Sequence, residues 1–292
     1  MANLKEVRTR IASVSSTQQI TSAMKMVSAA KFRRAQNAII GMRPYAAMLN
    51  EIISDIDVED GVQTPYHEVR RPDNVLLVVV TSNKGLCGAF NSNVIKEASA
   101  RVDYYTKEVK CATLSMITIG RRGSEFFSKH TPYVKECHDE ILDAATFDAI
   151  SAVGESIMQG FCEKKYDRVE LIYNQFKNSI TQILSTEQFL PVVPKKDEKS
   201  QAAGPKNDYI YEPDKEEILR EMIPLTLRSQ FYRVVLDSLA AEHGARMTAM
   251  QKATDNATEL LKELRLSYNK ARQAAITNEI IEIVSGSEAL KG

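Results

Sequence analysis

The sequence predicts an α/β domain combined with a long antiparallel coiled coil, in which the N- and C-terminal helices pair and the middle of the chain forms the α/β part. Three observations carry that expectation. Apolar residues recur at heptad spacing over both ends of the 292-residue chain. The middle alternates short apolar runs with amphipathic segments. A turn containing glycines, TSNKGLCGAFN (Thr81 to Asn91), joins the most apolar run, Val75 to Val80, to a candidate helix.

The first helix is read from Leu4, Val7, Ile11 and Val14, and again from Ala35, Ala38, Met42, Tyr45, Leu49, Ile52 and Ile56. Pro44 is expected to kink or interrupt it, because proline lacks the amide hydrogen and its ring crowds the preceding turn. Between the two runs, Ser13 to Ala30 consists mainly of Ser, Thr, Gln, Ala and Met. Such a face offers little bulk to a core but permits close approach and sliding. At the far end, Leu236, Leu239, His243, Arg246, Met250, Ala253, Ala257, Leu260, Leu264, Ser267, Ala271, Ala274, Asn278 and Ile281 keep alternating steps of three and four. One helix from Leu225 to about Ser285 would be about 90 Å long, some three times the width of a small domain, and cannot be packed inside a globule. Its seam of small and polar residues suits a slim pair, and the first helix is the natural antiparallel partner.

In the middle, Val75 to Ser82, Thr113 to Gly120 and Arg168 to Phe176 read as buried strands. Helices are expected at Asn91 to Lys107, Arg121 to Lys129 and Thr146 to Lys165, the last capped by Thr146. That alternation predicts a mainly parallel, Rossmann-like sheet. Pro191 to Asp208 is polar and proline-punctuated, an exposed loop. YIYEPD (Tyr209 to Asp214) leads to a short helix, Lys215 to Met222, that Pro224 should separate from the long one. The expected boundaries are 1–58 for the first coiled-coil helix, 71–208 for the α/β domain and 209–292 for the C-terminal helices.

Composition narrows the function. Lys plus Arg equals Asp plus Glu, 38 each, so any electrostatic role must come from local segregation. Asn3 to Arg43 has that segregation, with eight basic residues against the single acid Glu6. Its acid-poor opening resembles an organellar transit peptide, but the helical pattern runs on without a break to about Ile56. A nucleic-acid site would ordinarily add stacking aromatics, and Phe32 is the only aromatic before Tyr45. No apolar run approaches the roughly 20 residues a membrane-spanning helix needs. The four cysteines, Cys87, Cys111, Cys137 and Cys162, form no C-x-x-C pair and no metal-ligand spacing with histidine, so they are expected to be buried thiols. The scattered histidines and the lack of a G-x-S-x-G elbow give no catalytic constellation. The turn at Gly85 to Gly88 lacks both phosphate-binding glycine patterns, and its lysine, Lys84, precedes the glycines. A surface knob is therefore preferred to a nucleotide site, with a reactive Cys87 as a third reading.

The segments IASVSSTQQITSAMKMVSAAKFRRAQ, GLCGAFN, YIYEPD and ARMTAMQKATDNATELLKELRLSYNKARQAAITNEIIEIVSGSEAL, in that order, closely resemble the gamma subunit of rotary, F-type ATP synthases over essentially the whole chain. The resemblance implies a noncatalytic central-stalk rotor with no cofactor and no metal. Its terminal helices would lie inside a hexamer of alpha and beta subunits, and its α/β domain would stand on the c-subunit ring beside epsilon. The complex would couple ion transport to ATP synthesis, with this chain peripheral to the cytoplasmic face of a bacterial inner membrane. Carried over residue by residue, Met24, Arg246, Arg272, Gln273 and Thr277 would contact beta, as would Lys84 and Cys87 of the turn. Tyr209, Tyr211 and Glu212 would meet the c ring and epsilon. Two positions depart from the family's usual residues: Asn83 stands where aspartate is common, and Gly244 where alanine is expected.

Overall fold

The structure is a computed structural model that describes residues 4–60, 64–178, 181–192 and 215–289. Two compact units emerge, one made of residues 1–28 and 246–292, the other of residues 29–245. Two long helices, α1 (Leu4–Asp60) and α6 (Lys215–Ala289), contribute to both.

In the first unit, the Gln18 side-chain amide donates to the Thr258 hydroxyl at 2.7 Å, and the Thr21 and Thr254 hydroxyls meet at 2.8 Å. Partner numbers fall in α6 as they rise in α1, so the helices are antiparallel. Val7, Thr21 and Ser28 are buried from one side, and Met250, Ala257 and Leu261 from the other. The α6 seam thus departs from the expected one in alternate layers. Thr254, Leu261 and Tyr268 turn inward beside Met250, Ala257 and Leu264, while Ser267 is exposed and Leu260 only half-buried. Both readings keep three-four steps, and a leucine and a tyrosine remove more apolar area from water at the inner positions than Leu260 and Ser267 could.

The second unit is built on a five-stranded sheet of order β3-β2-β1-β4-β5. Its strands are β1 (Asn74–Val80), β2 (Thr113–Ile119), β3 (Val134–Cys137), β4 (Arg168–Phe176) and β5 (Gln182–Leu190). β1 pairs in parallel with β2 and β4, and β2 with β3, whereas β5 is antiparallel to β4. Crossovers are supplied by α2 (Phe90–Asp103), α3 (Arg121–His130), the single turn α4 (Ile141–Ala144) and α5 (Phe147–Cys162). Thr146 caps α5, its hydroxyl accepting the Ala149 amide at 3.4 Å. Strand alternation splits the core. Leu76, Val78 and Val80 face α5 together with Phe32, Ala35 and Ile39 of α1 and Leu227, Phe231 and Val235 of α6. Val75, Leu77 and Val79 face Val94 and Ala98 of α2 and Phe127 of α3.

Several expectations are corrected. Neither Pro44 nor Pro224 ends its helix, so Lys215 to Met222 is the first part of α6 rather than a separate helix. An interior proline costs about 3 kcal/mol, but Ile223 and Leu227, on either side of Pro224, are both buried, and each such side chain contributes about 1.5–3 kcal/mol. Ile39 and Leu49 flank Pro44 in the same way, while the side chains of Ile52 and Ile56 lie outside the described set. The helix expected to reach Lys107 changes at Tyr104 to a π-helical turn, Tyr104–Val109. That turn carries Tyr105 inward, where its hydroxyl donates to the buried Glu170 carboxylate at 2.6 Å. Burial and this bond push the Tyr105 pKa up. β3 and β5 lie outside the expected strands. Both are edge strands with mixed polar sequences, which weakens the alternation that marks a half-buried strand. Of the four cysteines only Cys87 is buried; Cys137 is exposed, and Cys111 and Cys162 are half-buried.

Candidate functional site

The candidate surfaces begin at the turn after β1. Thr81 leaves the strand buried, its amide donating to the Ile119 carbonyl at 2.8 Å and its hydroxyl accepting the Gly123 amide at 2.8 Å. Close approach here demands glycine at 120: the backbone φ is +106°, and a β-carbon would lie 2.3 Å from the Thr81 carbonyl oxygen. Next, the Ser82 carbonyl accepts the Arg122 amide at 3.1 Å and the Asn83 side-chain oxygen accepts the Arg121 amide at 3.0 Å. The first three amides of α3, the groups that would receive a phosphate at a helix N-terminus, are thus all engaged within the protein.

The strand order reverses at β1, so a ligand crevice would lie between the carboxyl ends of β1 and β4. It is filled. Cys87, Phe90 and Ala241 pack there as one buried cluster against Phe176 and Ala245, and the rings of Phe32 and Phe176 lie 5.2 Å apart. This packing removes the physical basis for a nucleotide site at the turn.

The rest of the turn faces outward. Lys84 and Leu86 are exposed, Leu86 at a positive φ of 64°. Cys87 points the other way. It is 1% exposed, and its sulfur accepts the Asn91 amide at 3.2 Å, while Asn91 also accepts the Ser82 amide at 3.0 Å. The readings of Cys87 as an accessible, reactive thiol and as a side chain that itself meets a partner are therefore corrected: the thiol is an internal anchor, and the knob surface is Lys84 and Leu86.

Along the helix pair, Met24 is half-buried and Arg246 is 7% exposed. The register set by the two threonines puts Met24 level with Gln251, so Arg246 is displaced along the helix by about five residues, or roughly 7 Å. Arg272, Gln273 and Thr277 are all exposed, and the Thr277 hydroxyl donates to the Gln273 carbonyl at 2.9 Å. Tyr209, Tyr211 and Glu212 lie outside the described residues.

The seam expected from heptad spacing does not account for one feature. Residues 272–288 are exposed throughout, yet they include Ile276, Ile280, Ile281, Ile283 and Val284, at 48–67% exposure. These five fall on one half of the helix circumference. Their signal in the sequence is an excess of apolar residues over a two-per-heptad stripe, of which only Ile281 belongs to the expected seam. Among the described residues no helix is long and apolar enough to cross a membrane, and no group of His, Cys, Asp and Glu has the arrangement of a metal site.

An antiparallel helix pair with a polar seam, an exposed aliphatic tail and an α/β unit whose ligand crevice is packed shut define a protein that works through surfaces offered to other proteins. The model of a family described as ATP synthase matches residues 3–290. The ATP synthase gamma chain of Flavobacterium johnsoniae is 55% identical over 294 residues, with all of both chains covered. That of Cytophaga hutchinsonii is 50% identical, with 99% of each covered. Among solved structures, a chain of the Tetrahymena thermophila mitochondrial ATP synthase central stalk and c ring is 26% identical, with a TM-score of 0.57 over 80% of this chain and 99% of that one. A chain of the Euglena gracilis mitochondrial ATP synthase shares the fold at a TM-score of 0.69 and 20% identity, covering 98% and 94%. The chain belongs to the ATP synthase gamma chain family and is a noncatalytic subunit of that enzyme.

Proposed function

We propose that this chain turns as the central shaft of an F-type ATP synthase, carrying rotation of a membrane c ring to the catalytic beta subunits. The observation that carries this reading is the exposed aliphatic face of residues 276–284. Large aliphatic side chains at this density on an isolated helix mark a protein interface, and a sleeve of alpha and beta subunits would enclose them. Arg272, Gln273 and Thr277 sit at the start of the same exposed segment, where their polar groups are available to beta. Met24 and Arg246 would act further along the pair, and Tyr209, Tyr211 and Glu212 at the c ring and epsilon. The chain would then be peripheral, held at the cytoplasmic face of a bacterial inner membrane through the complex.

The shaft works by differential contact. Each beta conformation meets a different side of it, and only the difference in contact free energy between conformations shifts their populations. Lys84 contributes a positive charge at an exposed turn, suited to an acidic moving surface on beta. Cys87 supports that turn from inside. In a reconstituted alpha–beta–gamma complex with its membrane sector, Lys84→Glu is expected to lower ion transport per ATP hydrolysed while nucleotide binding to beta is unchanged. Equal coupling in variant and parent would remove Lys84 from the contact. Normal coupling by alpha and beta subunits without this chain would overturn the shaft.

A further inference from the structure

Asn83 precedes the exposed Lys84–Leu86 turn and spends all of its amide on neighbouring elements. Its oxygen accepts the Arg121 amide at the start of α3 at 3.0 Å. Its nitrogen donates to the Asp139 carbonyl at 2.8 Å and to the Asp143 carboxylate at 3.4 Å. The Asp139 end of this bridge is itself anchored. Its carboxylate accepts the Ser124 hydroxyl at 2.6 Å, and Ser124 meets the buried Thr118 of β2 at 2.9 Å.

We propose that Asn83 is a positioning residue, an amide latch that holds the Lys84–Leu86 turn against α3 and the 139–143 segment and so fixes where Lys84 presents its charge. The role rests on the Lys84 contact proposed above. In this chain the Asp139 carbonyl and the Asp143 carboxylate that face Asn83 favour an amide there over the aspartate common in the family. A carboxylate of the same shape would still accept the Arg121 amide, favourably placed at a helix N-terminus. Its second oxygen, however, would face the Asp139 carbonyl and the Asp143 carboxylate, two acceptors and a second negative charge, with no hydrogen to offer either. Because Asp143 is exposed, its charge is screened, and the lost donor to Asp139 is the larger effect. Exchanging the pair, Asn83→Asp with Asp143→Asn, returns a donor to the interface from the other side.

Hydrogen exchange on the full chain reads the latch directly. Asn83→Asp is expected to speed exchange of amides 83–88 about fivefold or more, the loss of one hydrogen bond's worth of protection, while β1 amides keep their rates. Adding Asp143→Asn is expected to restore part of the protection. Parent-like exchange in Asn83→Asp, no recovery in the double variant, or equal acceleration across β1 would each overturn the latch. In the coupled complex, Asn83→Asp should reduce coupling less than Lys84→Glu does. Loosened exchange with full coupling, where Lys84→Glu uncouples, overturns the positioning role. Full coupling in both variants overturns the Lys84 contact instead.

Discussion

At the scale of single residues, type alone says little about environment, and the cysteines show why. Cysteine is among the residues most often buried, which favours four inert thiols, yet Cys137 stands exposed at the end of the edge strand β3 and Cys87 is 1% exposed behind the turn. Brief maleimide labelling of the folded chain, followed by peptide mass spectrometry, should modify Cys137 first and Cys87 roughly a hundredfold or more slowly, since Cys87 reacts only after local opening. Comparable rates would mean that the turn opens readily and that its packing does not hold it. Asn83 is illegible in the sequence for a different reason. Its value lies in partners 56 and 60 positions away in the chain, and no local pattern links them.

At the scale of elements, the heptad repeats announce both long helices, and the three buried strands stand out by their clustered Val, Leu and Ile, uninterrupted in β1 and interspersed with polar residues in β4. What escapes is set by tertiary packing: helices carried through Pro44 and Pro224 by buried neighbours, and edge strands whose outer faces meet water. The seam shows how finely this matters, because a one-residue rotation in alternate layers replaces Ser267 with Tyr268 at the interface. It also brings Thr21 and Thr254 together at 2.8 Å, a polar layer of the kind that fixes the register of a helix pair at a cost in stability. Thr21→Val or Thr254→Val alone is expected to destabilise the chain by about 0.5 kcal/mol, because the remaining hydroxyl loses this partner but keeps its bond to the Gln18 or Met250 carbonyl. Together they should be nearly neutral, giving a favourable coupling of about 1 kcal/mol in a double-mutant cycle by urea denaturation. Strict additivity would show that the two hydroxyls do not interact in solution.

At the scale of the whole molecule, the shaft reading turns on where aliphatic surface is left exposed. A chain with balanced charge, 38 basic against 38 acidic residues, has no reason of solubility to place five large aliphatics on one half of an exposed helix. An enclosing partner would supply one, because burying each isoleucine there contributes about 1.5–3 kcal/mol. Ile280→Ser with Val284 left in place keeps the isolated helix nearly as it is. Ile280 is 56% exposed, and substitutions at such positions usually change stability by no more than about 0.5 kcal/mol. The same substitution in the complex would remove apolar contact with the sleeve, and native mass spectrometry of alpha–beta–gamma mixtures should register about a tenfold or greater loss of affinity. Sedimentation of the isolated chain separates this from self-association: if the aliphatic face instead joins copies of the chain, Ile280→Ser will dissolve those oligomers and leave alpha–beta binding intact. That outcome would move the tail out of the sleeve, and with it the observation on which the shaft rests.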